Sequence, residues 1–133
     1  MNIDKHNDKL AGVYSFKQAF SVLDGRLSTS MDDVYSILNH YTGMSLFTHQ
    51  LPVAMDYLKE DKPKWYVDGV RKLEKIKEVV GNDFNDLMEY LDLEHSADQI
   101  QVEQVGEDKR NVIGKYLADN SLLVKHFGEE EKP

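Results

Sequence analysis

The sequence predicts a helix-rich α+β fold with a small antiparallel or mixed sheet, and three observations predict it. Apolar residues recur every three to four positions through most of residues 31–117. Gln99 to Glu103 alternates with a period of two. Gly and Pro punctuate the periodic runs at Gly25, Gly43, Pro63 and Gly81. The chain reads as a single domain over 1–133, with 1–14 and 128–133 as flexible ends.

In chain order, the apolar run Phe16, Ala19, Phe20, Val22, Leu23 ends at Asp24-Gly25, a dipeptide suited to a tight turn, and a strand is favoured over a helix there. Ser28-Thr29-Ser30 with Asp32 and Asp33 suits a helix start. Met31, Val34, Tyr35, Leu38 and Tyr41 give that helix its face, and Gly43 is placed to end it in a left-handed cap. Thr48 is expected to cap a second helix, with Pro52 in its first turn and Leu51, Ala54, Met55 and Leu58 facing inwards. Lys62-Pro63 breaks it. A third helix over 66–80 should bury Val70, Leu73, Ile76 and Val80 and present Arg71, Lys72, Lys75 and Lys77 to water. Asp83 then caps a shorter helix that buries Phe84, Leu87, Met88 and Leu91. Gln99 to Glu103 is expected as a strand. Asp108 opens a last helix that buries Val112, Ile113, Tyr116 and Leu117 and closes at Asn120, after which Leu122 to Phe127 returns as a strand.

Composition removes several function classes. Of 133 residues 41% are apolar, enough for a core, and the formal charge of −8 opposes direct binding to nucleic acid or to an anionic membrane. With no cysteine, the chain can have no disulfide, thiolate nucleophile or Cys-ligated zinc. The N-terminus carries no apolar leader and no run is long enough to span a bilayer, so a soluble, cytoplasmic protein is expected. No cofactor is expected, since the chain has neither a Gly-x-Gly-x-x-Gly nor a Walker-type loop.

The charge is unevenly placed. Nine acidic residues and no Lys or Arg lie between Gly81 and Asp108, whereas Lys62 to Lys77 holds six basic residues against Asp68 and Glu74. Such a block is either solvated surface or a face that attracts a basic partner. The partner-binding candidates are Asp83, Asp86, Glu89, Asp92, Glu94 and Asp98, with Tyr90 and Trp65 as exposed aromatic anchors. Trp65-Tyr66 beside Lys62 and Lys64 also has the composition of a base-stacking patch, which the overall charge disfavours.

Catalytic and metal signals are weak. His49 and Gln50 behind Thr48 could hold an anion or orient a proton; the plainer reading has Phe47 and Leu51 staple the turn to the core. Ser45, His49 and Asp56 supply triad residue types without a nucleophile elbow. The five His residues form no metal-binding pair, and Glu94-His95 with Asp98 makes at most a weak cation site. No metal centre and no turnover are therefore expected.

One stretch resembles a known family. Gly25-Arg26-Leu27, Val34-Tyr35, Leu38, Tyr41-Thr42-Gly43 and Leu46-Phe47-Thr48-His49-Gln50-Leu51-Pro52 with Ala54 are similar to a small family of uncharacterised bacteriophage proteins. The likeness is good over 22–58 and weaker to Val105. Val53 stands where members commonly carry a basic residue, so no anion contact is inferred from that position. The resemblance implies a phage origin and an α+β domain, and brings no activity. In that setting the acidic block suggests an accessory protein that binds and inhibits or redirects a host protein, as a nucleic-acid mimic against a DNA/RNA-binding or defence protein. A small-ligand or enzymatic site around His49-Gln50 and a self-associating module are the alternatives.

Overall fold

A computed structural model describes residues 12–27 and 31–130, the last ten of these by backbone alone. The elements are β1 (Val13–Ser15), α1 (Phe16–Asp24), α2 (Met31–Thr42), a 3-10 turn (Thr48–Gln50), α3 (Leu51–Asp61), α4 (Lys64–Val80), α5 (Phe84–Glu94), β2 (Gln99–Gln101) and α6 (Glu107–Glu130). The fold is α+β and helix-rich, as the sequence predicts, with a two-stranded antiparallel sheet.

The apolar run at 16–23 is a helix, not the expected strand. Ser15 Oγ accepts the Gln18 N–H at 3.0 Å while Gln18 Oε1 accepts the Ser15 N–H at 2.9 Å, a reciprocal cap that opens α1. Gly25, at φ 98°, ends the helix in a left-handed cap instead of turning a hairpin. Phe16, Ala19, Phe20, Ser21, Val22 and Leu23 are all buried because α1 packs against α2, α4, α5 and both strands. Lys17, Gln18, Ser21 and Asp24 recur at helical spacing, so the helical period is present; the short run of adjacent apolar residues ending at Asp24-Gly25 is what reads as a strand.

The strands join distant parts of the chain. Val13 lies opposite Gln101, Tyr14 opposite Ile100 and Ser15 opposite Gln99. The ladder is extended by Phe16 N–H to Asp98 O at 2.9 Å and Val102 N–H to Gly12 O at 2.7 Å. Gly12, at φ 86°, is required there: a Cβ would stand 2.6 Å from Val102 O and 2.5 Å from His40 Nε2. Val13 and Tyr14, expected in a loose end, are thus paired, and β2 stops at Gln101, short of the expected Glu103.

Helices α2 to α5 follow the expected starts and stops closely. Gly43 has φ 73°, Pro52 sits in the first turn of α3, and Lys62 closes α3 with φ 51°. Pro63 precedes α4, and Asp83 caps α5 by accepting the Asp86 N–H at 3.0 Å. The cap expected at Ser28 to Ser30 lies outside the described residues, as do 1–11 and 131–133. The last helix corrects two expectations. It continues past Asn120, whose Nδ2 donates to Tyr116 O at 2.8 Å, so 122–127 is helical and not a returning strand. Val112 is exposed where a buried position was expected, because α6 packs on α3 and the 3-10 turn through the face that carries Ile113 and Leu117.

Two ionic contacts fix α1 at its C-terminal end. Asp24, with a side chain only 5% exposed, accepts from Arg26 Nε at 2.6 Å and Lys77 Nζ at 2.5 Å. Arg26 also donates to Asn82 O and Oδ1 at 2.9 and 2.8 Å and lies 5.8 Å from the Phe20 and Phe84 ring centres. Burial raises the Asp24 pKa, but the hydrogen bonds and charges of Arg26 and Lys77 outweigh it and hold the carboxyl below its ordinary value. A depressed folded pKa contributes stability that is present above the unfolded value and lost as pH falls through the folded one. Asp24→Asn is therefore expected to cost about 2–4 kcal/mol at pH 7. In urea titrations from pH 7 to pH 2, the gap between wild type and variant should close below about pH 4.

Candidate interaction surface

The acidic block divides into carboxylates with structural partners and carboxylates without them. Asp83 is the α5 cap. Asp92 pairs with Lys17 of α1 at 2.9 Å. Asp98 accepts from Lys72 Nζ at 2.5 Å and lies 2.6 Å from His95 Nδ1. Hydrogen bonds from Lys72 and then His95 hold the Asp98 carboxyl below its ordinary pKa. Lys72, expected to face water, instead carries this contact and sits 4.9 Å from the Phe16 ring centre.

Asp86, Glu89 and Glu94 are exposed and have no ion-pair partner among the described residues. Asp86, Glu89, Tyr90 and Leu93 follow at i, i+3, i+4 and i+7, so they share one face of α5. With Val80 from the end of α4 they line a shallow recess of about 240 Å³. Leu93 is 70% exposed and Val79 73%. Tyr90 is half-buried, its ring 5.5 Å from His95. The surface therefore has apolar walls and two unpaired carboxylates, suited to contact with a group that is apolar along its length and positive at its end.

Leu93 and Val80 were not singled out as binding residues from the sequence. The signal was available for Leu93: it lies off the stripe of Phe84, Leu87, Met88 and Leu91 yet shares the face of Asp86 and Tyr90. Trp65 corrects the opposite error. It is 5% exposed, edge-on to Tyr41 with centres 5.7 Å apart, and is a core residue rather than an exposed anchor.

The turn before α3 holds no assembled chemistry. Thr48 meets the Tyr35 hydroxyl instead of capping α3, and Gln50 Oε1 accepts the Phe47 N–H at 2.8 Å. Phe47 is 68% exposed and stacks on His49 at 6.0 Å, so Leu46 and Leu51, both buried, staple the turn in its place. No hydrogen bond joins Ser45, His49 and Asp56, all exposed. Beside this turn lies an apolar groove of about 330 Å³, running from Ser21 and Leu27 past Met31 and Val34 to Leu51 and Met55.

Among the described residues no three His, Asp or Glu side chains converge as a cation site, and no helix is long and apolar enough to cross a membrane. At the 94–98 corner, the Lys72 ammonium occupies the Asp98 oxygen that a cation would need.

Residues 14–66 match a family described only as a domain of unknown function, DUF7736. No curated protein matches the chain significantly. No solved structure does so either. The matched segment runs from β1 to the first turn of α4, so it contains the apolar groove and excludes the α5 surface.

The division of the acidic block can be measured. Asp98→Lys should cost about 1–2 kcal/mol by setting two ammonium groups together, whereas Glu89→Lys, in the middle of α5, should stay within about 0.5 kcal/mol of wild type in the same denaturant titration.

Proposed function

We propose that this chain is a non-enzymatic binding protein whose α5 surface engages a host protein with a basic face. In this reading it is a phage accessory protein of the host cytoplasm that inhibits or redirects its target by occupying a site built for a polyanion. The observation that carries the reading is the recess of Val80, Asp86, Glu89, Tyr90 and Leu93: apolar side chains bordered by carboxylates that no cation among the described residues pairs with. The exposed apolar area works against solubility and is buried on contact with a partner, while the surrounding carboxylates favour a partner whose face is basic. The phage setting rests on the resemblance of the Leu46 to Pro52 segment. The mimicry is of charge rather than of helical spacing, since on α5 Asp86, Glu89 and Glu94 remain for it.

The test is affinity capture from bacterial lysate at low and high salt with the wild type and the triple variant Asp86→Lys, Glu89→Lys, Glu94→Lys. These positions leave the cap and the ion pairs intact. One host protein held by the wild type, weakened by salt and lost by the variant is the expected result. A partner held equally by both would overturn the reading. Capture of the chain by itself would transfer the surface to self-association through α4 and α5.

The apolar groove favours a second reading, a small-ligand site beside the His49 turn. His49 is not among its lining residues, so His49→Ala should leave both stability and ligand binding unchanged. A loss of binding at constant melting temperature would restore His49 to the site.

A further inference from the structure

The α5 recess suits a group that is apolar along its length and positive at its end, and α4 carries such a group itself. Lys64, Lys72 and Lys77 of α4 are committed to Asp68, Asp98 and Asp24, whereas Lys75 is exposed and has no ion-pair partner among the described residues. Val79 follows four residues later and is 73% exposed, more than any other large apolar side chain among the described residues. At this spacing Lys75 and Val79 share one face of the helix. Glu74 and Glu78, also exposed, lie on the side of Lys75 away from Val79.

The face of Lys75 and Val79 adjoins the recess. Lys72 lies on it as well, three positions before Lys75 and seven before Val79, and its Nζ meets Asp98. Asp98 lies 2.6 Å from His95 Nδ1, and the His95 ring stands 5.5 Å from Tyr90, a wall of the recess. Val80, the neighbour of Val79, is another wall. Protruding group and recess are therefore contiguous, and a two-fold axis between them brings the Lys75 and Val79 of each copy to the recess of the other. The charges favour this occupant. With a formal charge of −8 two copies repel at long range, so they meet where unlike charges face each other, and Glu89 and Lys75 are each unpaired within the chain's described residues.

We infer that in the free protein the α5 surface is covered by a second copy of the chain, in an isologous contact where Val79 of each copy enters the other's recess and Lys75 pairs with Glu89 across the interface. Tyr90 and Leu93 pack on the incoming Val79, and Asp86 adds to the attraction on Lys75. Two such insertions make a small contact, below about 1,200 Å² in total, so the dimer dissociates at concentrations on the order of 10–100 μM. The inference rests on the proposed use of the α5 surface and adds its regulation: a target has to displace the second copy, so dimer and target complex exclude each other.

Sedimentation velocity of the full chain from about 1 to about 500 μM tests it. The wild type should pass from monomer to dimer over that range. Lys75→Glu alone and Glu89→Lys alone set like charges together, and each should weaken the dimer about tenfold or more. Mixed in equal amounts the two variants should recover it as a heterodimer, because both pairs are then of opposite charge. A wild type that stays monomeric throughout would overturn the inference, as would a dimer that both variants retain or that mixing does not restore. If circular dichroism shows either variant to be unfolded, Val79→Gln decides, since it should weaken the dimer and retention would overturn the inference. Lysate capture separates this result from the proposed function. Lys75→Glu should hold the host protein at least as well as the wild type does. A dimer with no captured host protein would sink the proposed function and leave this inference standing, and capture by a chain that never dimerises would do the reverse.

Discussion

A nine-residue helix buried on nearly every side must be fixed at both ends before other elements can pack on it. Helix α1 meets that constraint with short-range chemistry. At its start, Ser15 and Gln18 cap each other while the Phe16 N–H bonds to Asp98 O. At its end, Gly25 turns the chain so that Arg26 returns to Asp24, and Lys77 reaches the same carboxylate from α4. The apolar side chains between these ends then supply most of the energy, at roughly 1.5–3 kcal/mol for each fully buried Phe, Val or Leu. Asp24 adds less energy than they do, but it determines where α4 and the α4–α5 turn sit, because Arg26 holds Asn82 with the same guanidinium.

The uneven charge of the sequence follows in part from this arrangement. Lys72 and Lys77 of the basic helix are used by Asp98 and Asp24, and Lys17 of α1 takes Asp92. Some of the separation between basic and acidic segments is thus complementarity within the molecule. Six carboxylates of the block remain: Asp86, Glu89 and Glu94 on α5, and Glu103, Glu107 and Asp108 beyond β2. The α5 group stands beside the exposed Leu93 and the half-buried Tyr90, which sets it apart from a purely solvated acidic surface.

Local signals were legible where one residue type settles the backbone. Gly43, Pro52, Pro63 and Asp83 marked helix ends correctly, and the amphipathic stripes of α3 to α5 identified their buried faces; in α2 Leu38 and Tyr41 are buried as expected, but Met31 is exposed and the stripe omitted the buried Ile37. The sequence misled at α1 and at Trp65. Phe16 to Leu23 is short and rich in adjacent apolar residues, which suggested a strand, although Lys17, Ser21 and Asp24 keep a helical period and Ser15 and Gln18 carried a capping signal. Trp65 beside lysines resembles a surface patch, and only packing against Tyr41 and Tyr66 shows it to be core. Which carboxylates are unpaired was not legible at all, since Lys17 and Asp92 meet across 75 positions of sequence.

The same packing bears on the 14–66 match. Within that segment, β1 lacks the strand it pairs with among the described residues, since β2 begins at Gln99. Phe20 loses Phe84, whose ring lies 6.0 Å away, and Leu23 loses Gly69, where a Cβ would come within 2.8 Å of its Cδ2. Asp24 keeps Arg26 but loses Lys77, and so a nearly buried carboxylate would have half its partners. The matched residues therefore contain the central helix without the elements that cover it, and they are part of a folding unit that also needs α4, α5 and β2. The α5 helix that helps to complete this core also carries Asp86, Glu89 and Glu94, so the surface proposed for partner contact lies outside the matched segment, on an element that closes the core.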